Sequence, residues 1–302
     1  MNADPWTLYW QNDNLQSCIA SQFPEDIEVI KLYWQGLLSG LESNANVLDL
    51  ASGNGAVPSM LLSINKQLKI TAVDLADIAP EKYLNQAAEL KSVHFIPNTD
   101  ICNLPFPENS FDAVTSQFGL EYAPLKQACF AAVKVLKPGG KLQLLVHHAN
   151  SDIVSPSVLT RSEIDLLLSP GGVVEAACAF TSGHIDLARL EKVGQDYLGS
   201  DAVRTQSVSG QIFAGIDQVI TLKESQAEQA AQLAHAMKLR LAAESARLKQ
   251  LQEAALGENE IQQLSTWLSD SGLSVDITLP LTIQSENRPE ALVGWQLKGT
   301  KK

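Results

Sequence analysis

The sequence predicts an α/β protein built on a largely parallel sheet wrapped by helices. Three observations carry that prediction. Short apolar runs alternate with helix-patterned segments between residues 46 and 148. The runs are apolar throughout, as expected of strands covered on both faces. A glycine pair follows the first run, in VLDLASGNG (47–55), where a doubly wound sheet passes from its first strand to its first helix. At 302 residues, with 45% hydrophobic and 19% charged side chains, the chain suits one large domain with an insertion, or two modest domains.

Residues 24–42 set Ile27, Ile30, Trp34, Leu37, Leu38 and Leu41 on one helical face. NVLDLA (46–51) then reads as a buried strand, and 56–66 as a helix whose first turn tolerates Pro58. KITAVDL (69–75) is a second strand, 79–91 a second helix, and VHFIPN (93–98) a third strand. SFDAVTSQF (110–118) is the fourth strand and 125–136 a helix; KLQLLVHH (141–148) is the fifth strand, after a Pro138-Gly139-Gly140 turn. The alternation then stops. From about 151 to 257 the chain offers helical runs only, among them 159–169 and a long Ala/Leu-rich stretch at 222–255. In that stretch Ala230, Leu233, Met237 and Leu241, then Leu248, Leu251 and Ala255, recur at steps of three and four, interrupted at Glu244. A helix at 257–272 and strands at 273–284 and 290–302 restore the pattern. The expected organisation is an N-terminal helical cap (1–43), a core (44–150), a helical insertion (151–256), and a last helix with two strands completing the core (257–302).

A net charge of −12 argues against a nucleic-acid backbone or an anionic membrane surface as the main partner. No apolar stretch is long enough to span a bilayer, and the first residues lack a basic, then apolar, secretory pattern. Cys18, Cys102, Cys129 and Cys178 are scattered, which suggests neither a metal site nor a disulfide framework. A reduced, cytoplasmic setting is expected.

The glycine turn implies a nucleotide-like ligand. For a dinucleotide the third glycine of G-x-G-x-x-G is missing, since Pro58 stands there. Asp49, just upstream, would repel a pyrophosphate but welcome the ammonium and sulfonium of S-adenosylmethionine. The electrostatics therefore favour that ligand over NAD. Asp74 ends the second strand, where an acid binds ribose hydroxyls with either ligand.

VLDLASGNG, TAVDL, NTDICNLPFPENSFDAV and VLKPGGKLQLL follow the order and spacing of class I S-adenosylmethionine-dependent methyltransferases. The chain resembles the branch that contains small-molecule and ubiquinone-biosynthesis enzymes, over roughly residues 44–150 and more weakly in the last two strands. That resemblance implies a Rossmann-like, seven-stranded, mostly parallel sheet with one antiparallel strand, flanked by helices. It implies S-adenosylmethionine as cofactor, S-adenosylhomocysteine as product and a small-molecule acceptor. It places Asp49 and the backbone of Ala51, Ser52, Gly53, Asn54 and Gly55 at the methionine end, Asp74 at the ribose, and Leu75 against the adenine. Asp100 would take the adenine amino group and Ile101 the ring, while Ser116 and Gln117 would border the amine and the transfer channel. One departure is Ala51, where many members carry glycine.

Methyl transfer asks the protein mainly for position and sometimes for a base. Base candidates near the ends of strands four and five are His147, His148 and Tyr122. Only one of the two histidines can face the cleft if both lie on a strand. Glu121 also follows the fourth strand. Trp6, Tyr9 and Trp10 are expected either to close the cleft or simply to anchor the N-terminal segment. The insertion is the expected substrate-recognition element. Its apolar stripe implies packing on a neighbouring helix, within the chain or in a homodimer. The crevice beside Gly53 and Gly55 is expected to be open to ligand, and side chains packed over those glycines would count against alkyl donation. Two other readings stand beside the enzyme: a cofactor-binding protein without turnover, and a nicotinamide oxidoreductase.

Overall fold

The computed structural model describes residues 4–18, 24–85, 88–200, 206–285 and 288–302. The apolar runs become β1 (Asn46–Leu50), β2 (Lys69–Val73), β3 (His94–Ile96), β4 (Phe111–Gln117), β5 (Leu136–Val146), β6 (Leu273–Ser285) and β7 (Arg288–Lys301). They form one seven-stranded sheet in the order β3-β2-β1-β4-β5-β7-β6. The first five strands pair in parallel; β7 runs antiparallel to both β5 and β6 and is the one reversed strand. The order reverses between β1 and β4, so their carboxyl ends open a crevice of the kind that holds ligands in doubly wound sheets.

The helices are α1 (Asp4–Trp10), α2 (Pro24–Leu38), α3 (Ala56–Ile64), α4 (Pro80–Tyr83), α5 (Leu125–Val135), α6 (Val154–Leu167), α7 (Val173–Thr181), α8 (Leu187–Leu198), α9 (Gln206–Lys223), α10 (Ala227–Ala254) and α11 (Glu258–Asp270). One face of the sheet packs on α5 and α11 through Ala128, Cys129, Ala132, Ile261, Leu264 and Leu268. The other meets α2 and α3 through Ile30, Trp34, Leu37, Val57 and Leu61. β1 and β4, at the centre of the sheet, are accordingly buried on both faces.

The continuous helix expected at 79–91 is instead the single turn α4 and a 3-10 turn at Ala88–Ser92. Residues 86 and 87 lie outside the described residues. Asn85 is tied to Asp13, which accepts from both its backbone and side-chain N–H groups. The Pro138-Gly139-Gly140 turn lies within β5 as a bulge, since the register steps from Phe111↔Leu136 to Ala113↔Lys141.

The chain divides into two compact units, Met1–Val154 with Glu253–Lys302, and Ser155–Gln252. In the second, the 222–255 run is two helices: α9 ends at Lys223 and α10 starts at Ala227. Val219, Ala230 and Ala234 form one buried cluster within it, with Cys178, Phe180, Leu222, Leu233 and Met237 packed around them. The buried Glu163 accepts from the backbone and hydroxyl of Ser209, which also bonds Tyr197. No described helix is long and apolar enough to cross a membrane.

Candidate active site

The turn after β1 packs three left-handed residues into five positions: Ala51 (φ 52°), Gly53 (φ 50°) and Gly55 (φ 93°). Glycine adopts that conformation freely and alanine does not. Ala51 therefore carries local strain. Its methyl also dictates a neighbour, since a Cβ on Gly119 would stand 2.4 Å from Ala51 Cβ.

Asp49 and Asp74 flank the turn. Both are buried, at 1% and 7% exposure. Asp49 Oδ1 accepts from Thr115 Oγ1 at 2.7 Å. Asp74 accepts from Gly53 N and Ala76 N, each at 2.8 Å. Burial raises Asp49 to about 8; the Thr115 bond lowers it, and the charge of Asp74 adds to the rise. Burial raises Asp74 to about 6, against the backbone N–H groups of Ala76, Gly53 and Leu75. Among the described residues, no cationic side chain pairs with either acid.

A cleft of about 50 Å³ opens here, lined in part by Trp6, Trp10, Asp49, Asp74, Gln117 and Tyr122. Of the residues named from sequence, Asp49, Ala51, Ser52, Asp74, Gln117 and Tyr122 line it. The glycines do not lie open as expected. A Cβ on Gly53 would fall 2.3 Å from the Trp10 indole, and one on Gly55 would fall 2.8 Å from Phe95. Gly55 serves close packing inside the fold, and Trp10 covers the free face of Gly53. Trp6, Trp10, Ala76 and Ile78 form one cluster, which fastens α1 beside the cleft. The Asn54 amide donates to the carbonyls of Trp10 and Asn14 at 2.9 and 2.8 Å, so it clamps the N-terminal segment.

The other candidates are engaged elsewhere. Ser116 is fully buried, donating to Leu50 O at 2.9 Å and accepting from Leu120 N at 3.0 Å. Asp100 is exposed and accepts from Cys102 N and Asn103 Nδ2, both at 2.9 Å, which closes a turn. Ile101 belongs to the core between the sheet and α5, and Leu75 is half-buried beside Asp74. His148 stacks on Trp295 (centroids 4.4 Å apart) and accepts from Asn150 N through Nδ1. Burial lowers its pKa, and Glu258 opposes that.

His147 lies just past β5, fully buried and outside the cleft lining. Its ring stacks on Phe118 at 4.5 Å. Its Nε2 stands 3.3 Å from Tyr122 Oη, 3.7 Å from Cys18 Sγ and 4.0 Å from Glu121 Oε1. The backbone N–H of His147 donates to the same Glu121 oxygen at 2.8 Å. Sequence reasoning singled out Tyr122 and His147 separately and missed their contact. The parallel pairing of β4 and β5, with Gln117 opposite Leu145, brings the residues just past both strand ends together.

Residues 47–140 match the family described as a methyltransferase domain. A ubiquinone/menaquinone biosynthesis C-methyltransferase of Francisella tularensis subsp. novicida is 34% identical over 113 residues, covering 35% of this chain and 44% of that protein. The corresponding protein of Pseudomonas putida is 33% identical over 114 residues, covering 36% and 44%. The chain thus spans less than half the length of these curated relatives. A solved methyltransferase from Methanosarcina mazei aligns over 90% of this chain and 96% of its own, with 16% identity and a TM-score of 0.43. With the motif-bearing turn, the two acids at the strand ends and the β3-β2-β1-β4-β5-β7-β6 sheet in place, the matched segment is a methyltransferase domain of the class I S-adenosylmethionine-dependent kind.

Proposed function

We propose that the chain binds S-adenosylmethionine at this cleft and transfers its methyl group to a small-molecule acceptor. The observation that carries this reading is the pair of buried carboxylates, Asp49 and Asp74, with no cationic side chain beside them among the described residues. Buried acids with neutral partners favour their protonated form until a ligand supplies the positive charge that stabilises the ionised one. The same pair disfavours a nicotinamide dinucleotide, whose pyrophosphate brings charge of the wrong sign.

The donor set therefore fits a cationic nucleoside. Asp49 would face the ammonium and sulfonium end and Asp74 the ribose hydroxyls, with Leu75 beside the ring. Gln117 is held by Trp34 Nε1, which donates to its Oε1 at 2.7 Å, and it would fix one wall of the transfer channel. When bound, the cofactor supplies a methyl carbon already activated for displacement. The chain's own work is alignment and the exclusion of water, for which the Trp6, Trp10 and Tyr122 wall is suited. Trp10 covers the free face of Gly53, so α1 would give way if the nucleoside is to reach that backbone.

Isothermal titration with S-adenosylmethionine and S-adenosylhomocysteine tests this reading, and absence of binding to both would end it. The cover of Trp10 over Gly53 favours one second reading, a cofactor-responsive binding protein without turnover. Transfer of labelled methyl groups to small molecules of a cell extract separates the two.

A further inference from the structure

Beside the cleft, Glu121, Tyr122 and His147 make a contiguous polar cluster. Tyr122 lines the cleft, and its hydroxyl meets His147 Nε2 at 3.3 Å. The imidazole is fully buried, and the same Nε2 stands 4.0 Å from Glu121 Oε1. Glu121 is 4% exposed, and its Oε2 has no hydrogen-bond partner among the described residues. Carboxylates are seldom buried without a cation. A histidine that gains charge during a reaction is a cation of the right kind in the right place. Packing alone does not call for a phenol and a carboxylate converging on one imidazole nitrogen, Nε2, beside the cleft.

We infer that Tyr122, His147 and Glu121 form a proton relay that draws a proton from the methyl acceptor, which makes the acceptor a phenol or enol. This rests on the methyl-transfer reading of the cleft. In the resting relay Tyr122 Oη donates to Nε2, so the neutral imidazole carries its proton on the other nitrogen. The acceptor hydroxyl gives its proton to Tyr122 Oη while the phenol's own proton passes to Nε2. An electron pair of the acceptor oxygen, or of the ring carbon conjugated to it, forms the new bond to the methyl carbon. The pair of the breaking carbon–sulfur bond stays on sulfur. The imidazolium is balanced by Glu121 and returns its proton through Tyr122 once product leaves. Tyr122 is the catalytic residue; His147 and Glu121 position and charge it. A thiol or an amine loses its proton readily enough to need no such path.

The groups facing His147 are Tyr122 and Glu121 from the turn after β4, Cys18 from the N-terminal segment, and the uncharged Phe118 ring. Burial raises Glu121 to about 7, against backbone N–H groups of Glu121, His147 and Gly119. The relay therefore fades as pH falls through about 7, where Glu121 gains a proton and ceases to balance the imidazolium.

The test uses 4-nitrophenol, whose phenolate absorbs in the visible, with the full chain alone and with S-adenosylhomocysteine. The wild-type protein should bind it and shift its phenol/phenolate ratio at least about tenfold toward phenolate, or about one pH unit. The side-chain nitrogens of His147 should take on imidazolium shifts in 15N NMR as the probe binds. Tyr122→Phe should abolish both effects. Glu121→Gln, which keeps an acceptor for the His147 N–H, should weaken the shift and remove its dependence on pH near 7. Both variants should keep a cooperative melt, which shows that they fold. Wild-type protein that leaves the probe unbound or un-ionised overturns the relay, as does Tyr122→Phe protein that ionises it normally. Failure to bind S-adenosylhomocysteine, with the probe still ionised, would instead overturn the methyl-transfer reading alone.

Discussion

Asp49→Asn removes an ionisable group from the cleft and almost no volume. In the ligand-free protein Asp49 titrates near pH 8, so at pH 7 about nine-tenths of it is protonated. A cationic ligand requires the ionised form, and expelling the proton at pH 7 costs about 1.4 kcal/mol. Wild-type affinity for S-adenosylmethionine should therefore rise about tenfold per pH unit up to pH 8 and level off above it, with close to one proton released at pH 7. The asparagine variant loses a hydrogen bond to a charged group, worth about 1.5–3 kcal/mol. Its deficit should be about 10- to 100-fold at pH 9 and smaller at pH 7, where the wild type must first lose its proton. Calorimetry in two buffers of different ionisation heat, from pH 6 to 9, measures affinity and proton release together. Wild-type binding that is flat across that range, with no proton released, would refute the assignment of Asp49 to the cationic end of the ligand.

The same burial sets the pH dependence of stability. Asp74, Glu121 and Asp49 hold protons in the folded state up to about pH 6, 7 and 8, and lose them near pH 4 when unfolded. The folded state binds the extra protons between those values, so each group costs stability as pH rises, by up to about 1.4 kcal/mol per unit, until its folded value is passed. Urea melts of ligand-free protein should show less stability at pH 8.5 than at pH 5, and bound cofactor should restore part of it. Gly119→Ala drives a methyl against Ala51 Cβ and should cost about 1–3 kcal/mol; adding Ala51→Gly should recover more than half of that in the same melts. Trp10→Ala uncovers Gly53 and should speed association of S-adenosylhomocysteine several-fold in stopped-flow fluorescence. An unchanged rate would mean that α1 does not stand in the way.

The central strands β1 and β4 were legible because both of their faces are largely buried, a local signal carried in five to seven residues. Segment 79–91 misled because its Ala, Leu, Glu and Lys content favours a helix, whereas Asn85 is held by Asp13, 72 residues earlier. The site divides in the same way. Asp49 and Asp74 follow from strand ends and loop chemistry, both local. Trp10 over Gly53 and Glu121 beneath His147 depend on which distant segments meet, and only the β4–β5 register could have signalled the second.

The junction at His148 and Leu256 has a consequence for how such a chain diversifies. The two residues form a parallel bridge; Leu256 N donates to His147 O, Ala149 N to Leu256 O, and Trp295 Nε1 to the same carbonyl. The points where the chain leaves and rejoins the sheet are thus stapled by main-chain bonds that owe nothing to what lies between. Evolution can exchange the intervening cassette without renegotiating the scaffold. A chain in which a short glycine-serine bridge replaces residues 155–252 should keep a cooperative melt, whereas loss of that transition would show the cassette to be part of the foundation.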